Sequence, residues 1–333
     1  MNLSPINQTK LFSLDNYLLE FVELYKIKRL PTKILLSGDK GLGKSTLAFH
    51  LVNYILSINE EDPYIVKEFK INPENKSYKL AVNGSNPNLL LVDTLTEKKN
   101  IDINQIRELI KNLNKSSFNN KEKFIIIDNI EALNISSINA LLKILEEPPS
   151  NCLFLIISHN IGMILDTIKS RCLELRFKNL SNEIMIDRIK LLKPGILKNE
   201  LDSLIINANG SFGRLENLLH SDSLKISDTI NNFFEKEDFN ENIYDFSNFI
   251  LQDGIGVNKF DIFTEILNFK LNSYIKEKAI YNPDFITTNN KIFIIRDSIL
   301  ELISQERVYK LNKKQTILSI ISNLKKITKL QKH

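Results

Sequence analysis

Residues Lys33 to Thr46 read KILLSGDKGLGKST, an apolar run that breaks into a glycine-punctuated turn and then resumes. Lys33 to Ser37 predicts a strand, and Leu47, Leu51 and Ile55 recur at helical spacing after the turn. The segment between, Gly38 to Ser45, is GDKGLGKS and satisfies G-x-x-x-x-G-K-[ST] between a strand and a helix. Glycines let such a loop curl until its N–H groups face phosphate oxygens, and the following helix N-terminus adds a favourable dipole. The phosphate-binding candidates are therefore Gly38, Asp39, Lys40, Gly41, Leu42, Gly43, Lys44, Ser45 and Thr46. Lys44 is placed to reach β and γ phosphates, Ser45 to ligate Mg²⁺, and Thr46 to sit just inside the helix. The competing reading is a fortuitous glycine-rich turn, a poor fit in a chain with only 10 glycines.

Outward from the loop, the first half alternates strands and amphipathic helices. A helix is predicted over Asp15 to Arg29, followed by strands at Leu89 to Asp93, Phe124 to Asp128, Leu153 to Ser158 and Leu173 to Phe177. Helices are predicted over Asn104 to Asn114 and Ser136 to Glu147, the second stopped by Pro148 and Pro149. This βαβ succession implies a parallel sheet. Beyond Lys178 strand patterns cease. Short helical segments punctuated by Pro194, Gly195, Gly210 and Gly213 come first, then apolar stripes that include Ile250, Phe263, Ile266, Leu267, Ile317, Leu318, Ile321 and Leu324.

Composition narrows the class. At 333 residues and 43% hydrophobic, the chain has material for two or three domains, and its apolar runs are far shorter than the roughly 20 residues a bilayer span needs. Met1 to Lys10 is polar and has no signal-peptide pattern, so a cytoplasmic protein with no membrane partner is expected. Two cysteines, Cys152 and Cys172, are too few for a four-thiolate zinc site, so no zinc is expected. A net charge of +4 from 44 basic and 40 acidic residues does not by itself indicate nucleic acid.

Magnesium beside a phosphate loop calls for a carboxylate at the end of a neighbouring buried strand. FIIID, Phe124 to Asp128, supplies it, although an Asp at a strand end is equally an ordinary turn or cap residue. Hydrolytic relatives of this chemistry follow the Asp with a Glu that activates water. Here the next residue is Asn129, an amide and no general base, with Glu131 three positions past Asp128. Two readings follow: a site that binds ATP and Mg²⁺ without turning over, or one in which Glu131 swings into the place of Asn129.

Four stretches, KRLPTKILLSGDKGLGKSTLA, NALLKILEEPP, FLIISHN and ILDTIKSRC, occur in the order and spacing of the clamp-loader branch of AAA+ proteins. The chain resembles that family, and within it the delta prime group of bacterial DNA polymerase III subunits, including NPNLLLVD at Asn86 to Asp93. The likeness is strong over Lys28 to Phe177 and architectural beyond. It implies an α/β, RecA-like AAA+ domain over residues 1–177, a small helical lid over 178–223 and an all-helical collar over 224–333. It also implies a hetero-oligomer with motor (gamma/tau) and delta subunits, acting on a sliding clamp and primed DNA.

The same resemblance assigns Ser170, Arg171 and Cys172 to the family's SRC motif, in which the arginine reaches ATP on a neighbouring subunit. Arg171 is then an arginine finger, against the ordinary reading of a solvated arginine or local ion pair. Ser158, with His159, falls where the family places a residue that senses the γ phosphate. In GSFGRLENLL, Gly210 to Leu219, Gly213 takes the place of a lid arginine and Arg214 follows one residue later. Motor subunits of the family carry a cysteine cluster after the loop helix, an interval without cysteine here. Lysines at 310, 313, 314, 325, 326, 329 and 332 make the C-terminus basic, read as the solvated face of a packed helix ahead of a DNA-binding arm.

Overall fold

The structure is a computed structural model that describes residues 4–94, 101–113, 122–219, 223–235, 243–252, 258–281 and 290–329. It falls into two units, Met1–Asn179 and Leu180–His333.

The first unit is built on strands β1 (Lys33–Ser37), β2 (Leu89–Asp93), β3 (Lys123–Asp128), β4 (Cys152–Ser158) and β5 (Leu173–Arg176). All pairings are parallel and the spatial order is β2-β3-β4-β1-β5. The central strands are apolar at consecutive positions because both faces are covered. Ile34, Leu36, Phe124, Ile126, Leu155 and Ile157 enter one core, whereas Leu35, Ile125, Ile127, Phe154 and Ile156 enter the other. Each such side chain, fully removed from water, contributes about 1.5–3 kcal/mol.

The first core is covered by α1 (Asp15–Lys26) and α2 (Lys44–Ser57), with α3 (Lys76–Val82) beside them. The second is covered by α4 (Ile103–Leu113) and α5 (Ile135–Glu146), followed by the short α6 (Asp166–Lys169). Helix α1 ends before the expected Arg29, and α4 and α5 lie one residue from their expected bounds; Asn114 lies outside the described residues. Asn134 caps α5 by accepting from the Ser137 amide at 2.8 Å. The lysines that open two strands serve as caps: Lys33 donates to the Leu145 carbonyl of α5 (3.0 Å), and Lys123 to the Asn112 and Leu113 carbonyls of α4 (2.8 and 3.1 Å). A cation at a helix C-terminus satisfies orphan carbonyls and opposes the dipole.

Helix α2 is buried almost throughout. On its side away from the sheet, His50 is fully enclosed, with Nε2 donating to the Gln8 carbonyl (3.0 Å) and Nδ1 accepting from the Tyr64 hydroxyl (2.7 Å). Burial lowers the His50 pKa to about 4, so the ring is neutral.

The second unit is helical: α7 (Asn182–Leu192), α8 (Lys198–Ala208), α9 (Phe212–Leu219), α10 (Ser223–Glu235), α11 (Ile243–Leu251), α12 (Lys259–Tyr281), α13 (Asn290–Tyr309) and α14 (Lys313–Lys329). One core runs from Met185 and Leu204 through Ile226, Phe233 and Phe263 to Ile321 and Leu324. Edge-on aromatic contacts link Phe233 to Phe246 and Phe246 to Phe263 at 6.1 and 5.8 Å. Of the expected stripe residues, Leu318 is half-buried while Ile320 is fully buried, a shift of two positions around the α14 face. Among the C-terminal lysines, Lys310 and Lys326 are exposed, and Lys313 and Lys314 lie 5.7 and 5.9 Å from the Phe260 and Tyr244 rings. Lys332 lies outside the described residues.

Candidate functional site

The loop between β1 and α2 depends on its glycines. Gly38, Gly41 and Gly43 have φ of 142°, 82° and 82°. A Cβ on Gly38 would meet the Phe177 carbonyl at 2.6 Å, and Gly43 caps α2 in a left-handed conformation. Between them Leu42 is buried and anchors the loop in the core beneath. Asp39 and Lys40 face solvent, and Asp39 accepts from Asn179 at 3.2 Å.

Lys44 is 2% exposed, and its ammonium donates to the carbonyls of Gly38 (2.7 Å) and Asp39 (2.6 Å). Burial lowers its pKa to about 8, against the opposing pull of the Asp128, Glu131 and Asp39 carboxylates. Ser45 Oγ donates to Asp128 Oδ2 at 2.5 Å, which brings the two expected magnesium ligands into contact, and Thr46 is half-buried. Burial raises the Asp128 pKa, with the Ser45 hydrogen bond acting in the opposite sense. The register pairs Asp128 with Asp93 across β3 and β2, so both carboxylates rise from the same end of the sheet.

Next to this pair is a residue whose place no local pattern indicates. Glu131 reaches the end of β4, where Oε1 accepts from Ser158 Oγ (2.6 Å), the His159 amide (2.7 Å) and the Asn160 amide (2.7 Å). Its other oxygen is buried without a hydrogen-bond partner. Ser158, fully buried, therefore points its hydroxyl at Glu131. Asn129 Oδ1 accepts from the Ala132 amide at 3.0 Å and caps the turn between β3 and α5. His159 Nε2 lies 3.6 Å from Asp128 Oδ1, while its Nδ1 is buried without a partner. Burial, then the Lys44 charge, lowers the His159 pKa.

Arg171 stands at the other end of the sheet. It precedes Leu173, which opens β5 opposite Ile34, whereas the phosphate loop follows the far end of β1. About 13 Å of strand separates those ends at 3.3 Å per residue. The guanidinium donates from Nη1 to the Thr167 carbonyl (2.6 Å) and from Nη2 to Glu146 Oε1 (2.7 Å), with a side chain 31% exposed. Burial pushes the neighbouring Cys172 thiol up to about 11, which keeps it protonated.

Arg214 belongs to the helical unit. Its Nε donates to Glu265 Oε1 at 3.0 Å and its guanidinium lies 5.7 Å from the Phe269 ring. Among the described residues no group of three or more His, Cys, Asp or Glu is arranged to hold a metal ion, and no helix is long and apolar enough to cross a membrane. A nucleotide-bound magnesium asks less of the protein: a hydroxyl, a carboxylate, and oxygens from phosphate and water. The Ser45 and Asp128 oxygens, the open glycine turn and the buried Lys44 fit that requirement.

The family described as "DNA polymerase III, delta subunit" matches residues 15–181. The chain is 30% identical over 234 residues to DNA polymerase III subunit gamma/tau of Mycoplasma genitalium, covering 70% of this chain and 37% of that protein. It is 31% identical over 140 residues to DNA polymerase III subunit delta' of Pseudomonas aeruginosa, covering 42% and 41%. These matches span well under half the length of either relative. A DNA polymerase III gamma subunit-related protein of Thermotoga maritima superposes with a TM-score of 0.46 at 18% identity, over 92% of this chain and 98% of that one. With the match covering the whole phosphate loop, the Asp128 strand and the Arg171 edge, the chain belongs to the DNA polymerase III delta-subunit family of clamp-loader-related proteins.

Proposed function

We propose that this chain is a delta prime-type subunit of the replicative clamp loader, one that binds ATP with Mg²⁺ without hydrolysing it and lends Arg171 to a neighbouring motor subunit. The observation that carries this reading is the occupation of both residues available to activate water. Asn129 is an amide engaged as a cap, and Glu131 is bound through one oxygen to three donors at the end of β4. Swinging Glu131 towards Asn129 would strand the buried Ser158 hydroxyl, at about 1–3 kcal/mol, and take their acceptor from the half-buried His159 and exposed Asn160 amides.

On this reading, Gly38 to Gly43 supply amides to the phosphates, and Lys44 exchanges the Gly38 and Asp39 carbonyls for phosphate oxygens. Ser45 and Asp128 part to hold Mg²⁺, which neutralises phosphate charge when bound. Ser158 and His159 line the γ-phosphate end. Arg171, at the opposite end of the sheet from its own loop, serves only a nucleotide held by another chain. There a fixed guanidinium stabilises charge developing on the transferred phosphoryl group. Residues 178–223 act as the lid and 224–333 as the collar that joins the ring of motor (gamma/tau) and delta subunits. The assembly loads the sliding clamp on primed DNA in the cytoplasm. The cysteine-free interval after α2 favours this subunit type over a motor.

The intact phosphate loop supports a second reading, an ATPase active in its own right, and a small-molecule kinase stands behind it. Purified chain separates them. Calorimetry is expected to detect ATP binding that Lys44→Ala weakens at least about tenfold, the loss of a charged hydrogen-bond donor. Turnover by the same preparation is expected to be absent. Steady hydrolysis at rates ordinary for an ATPase, about 1 per second or faster, would reject the proposal.

A further inference from the structure

The guanidinium of Arg171 is already engaged. Its Nη2 donates to Glu146 Oε1 at 2.7 Å and its Nη1 to the Thr167 carbonyl at 2.6 Å, with Ser170 Oγ at 3.4 Å. Thr167 and Ser170 belong to the same short stretch as Arg171 and travel with it. Glu146 does not: it is the last residue of α5, in the LEEPP run that Pro148 ends, twenty-five positions earlier in the chain. The pair is accessible, with the Glu146 side chain 52% exposed and that of Arg171 31%. The arginine therefore meets a carboxylate at the edge where a phosphate would have to approach. A carboxylate and a phosphate both present anionic oxygens that accept from the same N–H edge, so they compete for it.

We propose that Glu146 is a positioning residue for Arg171: a carboxylate latch that holds the guanidinium against α5 and α6 and gives it up to the triphosphate of a nucleotide bound by a neighbouring chain. The inference rests on the reading of Arg171 as a residue acting in trans. A partly exposed ion pair is weak enough to be displaced by a polyanion, yet it defines where the arginine waits. It also leaves the guanidinium paired before assembly, which disfavours contact with other anions. Because Pro148 and Pro149 stop α5 just beyond it, Glu146 sits at a fixed helix terminus and marks one direction for the arginine.

The test uses the full chain assembled with its motor and delta partners, with clamp and primed DNA present and ATP below saturation. Glu146→Gln keeps the size of the side chain and removes its charge. It is expected to raise ATP turnover about two- to fivefold, the range that exposed ion pairs allow. The gain should shrink as salt is raised from about 50 to 300 mM, because salt already screens the latch in the native protein. Glu146→Asp should lie between the two, and Glu146→Gln with Arg171→Ala should equal Arg171→Ala alone. A rate that Glu146→Gln leaves unchanged or lowers overturns the latch, provided Arg171→Ala is strongly impaired in the same assembly. Unimpaired turnover with Arg171→Ala instead overturns the trans reading itself, and the latch with it. Urea denaturation of Glu146→Gln shows whether folding has changed; the salt-dependent gain is a readout that a merely structural role would not move.

Discussion

The two ends of the sheet handle charge in opposite ways. At the phosphate-loop end the ionic groups are withdrawn from water and cross-bonded: Lys44 to two carbonyls, Ser45 to Asp128, and Glu131 to three donors on β4. At the Arg171 end the guanidinium is held by an accessible ion pair with Glu146 and by the Thr167 carbonyl of its own stretch. A buried network costs a great deal to break and therefore sets geometry, whereas an exposed pair costs little and can be exchanged. The first arrangement suits a carboxylate such as Glu131 that is locked in place, and the second suits a residue that changes partners.

The sharpest way to break this comparison is to remove one group from each end in the assembled loader. Arg171→Ala is expected to reduce clamp- and DNA-stimulated ATP turnover by about a thousandfold, as the loss of an arginine finger does, while Lys44→Ala should have a much smaller effect. A severe loss from Lys44→Ala together with normal turnover from Arg171→Ala would invert the roles of the two ends.

Stability should invert the order of the two ends. Glu131→Ala leaves the buried Ser158 hydroxyl and the half-buried His159 amide without their acceptor, and about 3 kcal/mol should be lost in urea denaturation of the purified chain. Arg171→Ala, by contrast, should cost no more than about 1 kcal/mol. Equal losses would show that the Glu131 network is not the stiff element described above.

The core around α2 should also respond to acid, through His50, which is bonded to Gln8 and Tyr64. Its folded pKa is about 4 against 6.5 for the free ring, so between those values the unfolded chain binds the extra proton. Stability from this residue is therefore complete above pH 6.5 and is lost as pH falls towards 4. About 2 kcal/mol should disappear between pH 6.5 and 5 by denaturation, and His50→Gln should flatten that slope by the same amount. A slope unchanged by His50→Gln would place the acid sensitivity elsewhere.

The smallest effect is expected at Arg214. Its partners Glu265 and Phe269 are both in the helical unit, so Arg214→Ala should cost about 1 kcal/mol of stability and leave ATP binding by the isolated chain unchanged within twofold. A large loss of ATP affinity would make Arg214 a nucleotide contact after all.

Much of this molecule is written in contiguous sequence. The β1 strand, the glycine turn and α2 follow from one stretch of residues, and all five strands were legible to within a residue, the central β1, β3 and β4 because burial on both faces leaves unbroken apolar runs. The end of α5 carried a local signal too, in Pro148 and Pro149. Asp128 and Ser45 could be paired in advance because a phosphate-bound metal needs both. What the sequence did not contain was the fate of Glu131 and Glu146. Glu131 is fixed by donors twenty-seven to twenty-nine residues away, and only because β4 lies next to β3 in the sheet. Arg171 meets Glu146 only because α6 packs beside the end of α5. Periodicity and turn chemistry act between neighbours along the chain, so sequence alone determined the elements and the phosphate loop. Pairing between distant residues depends on strand order and helix packing, so the tertiary structure decided which carboxylate is locked and which arginine is held.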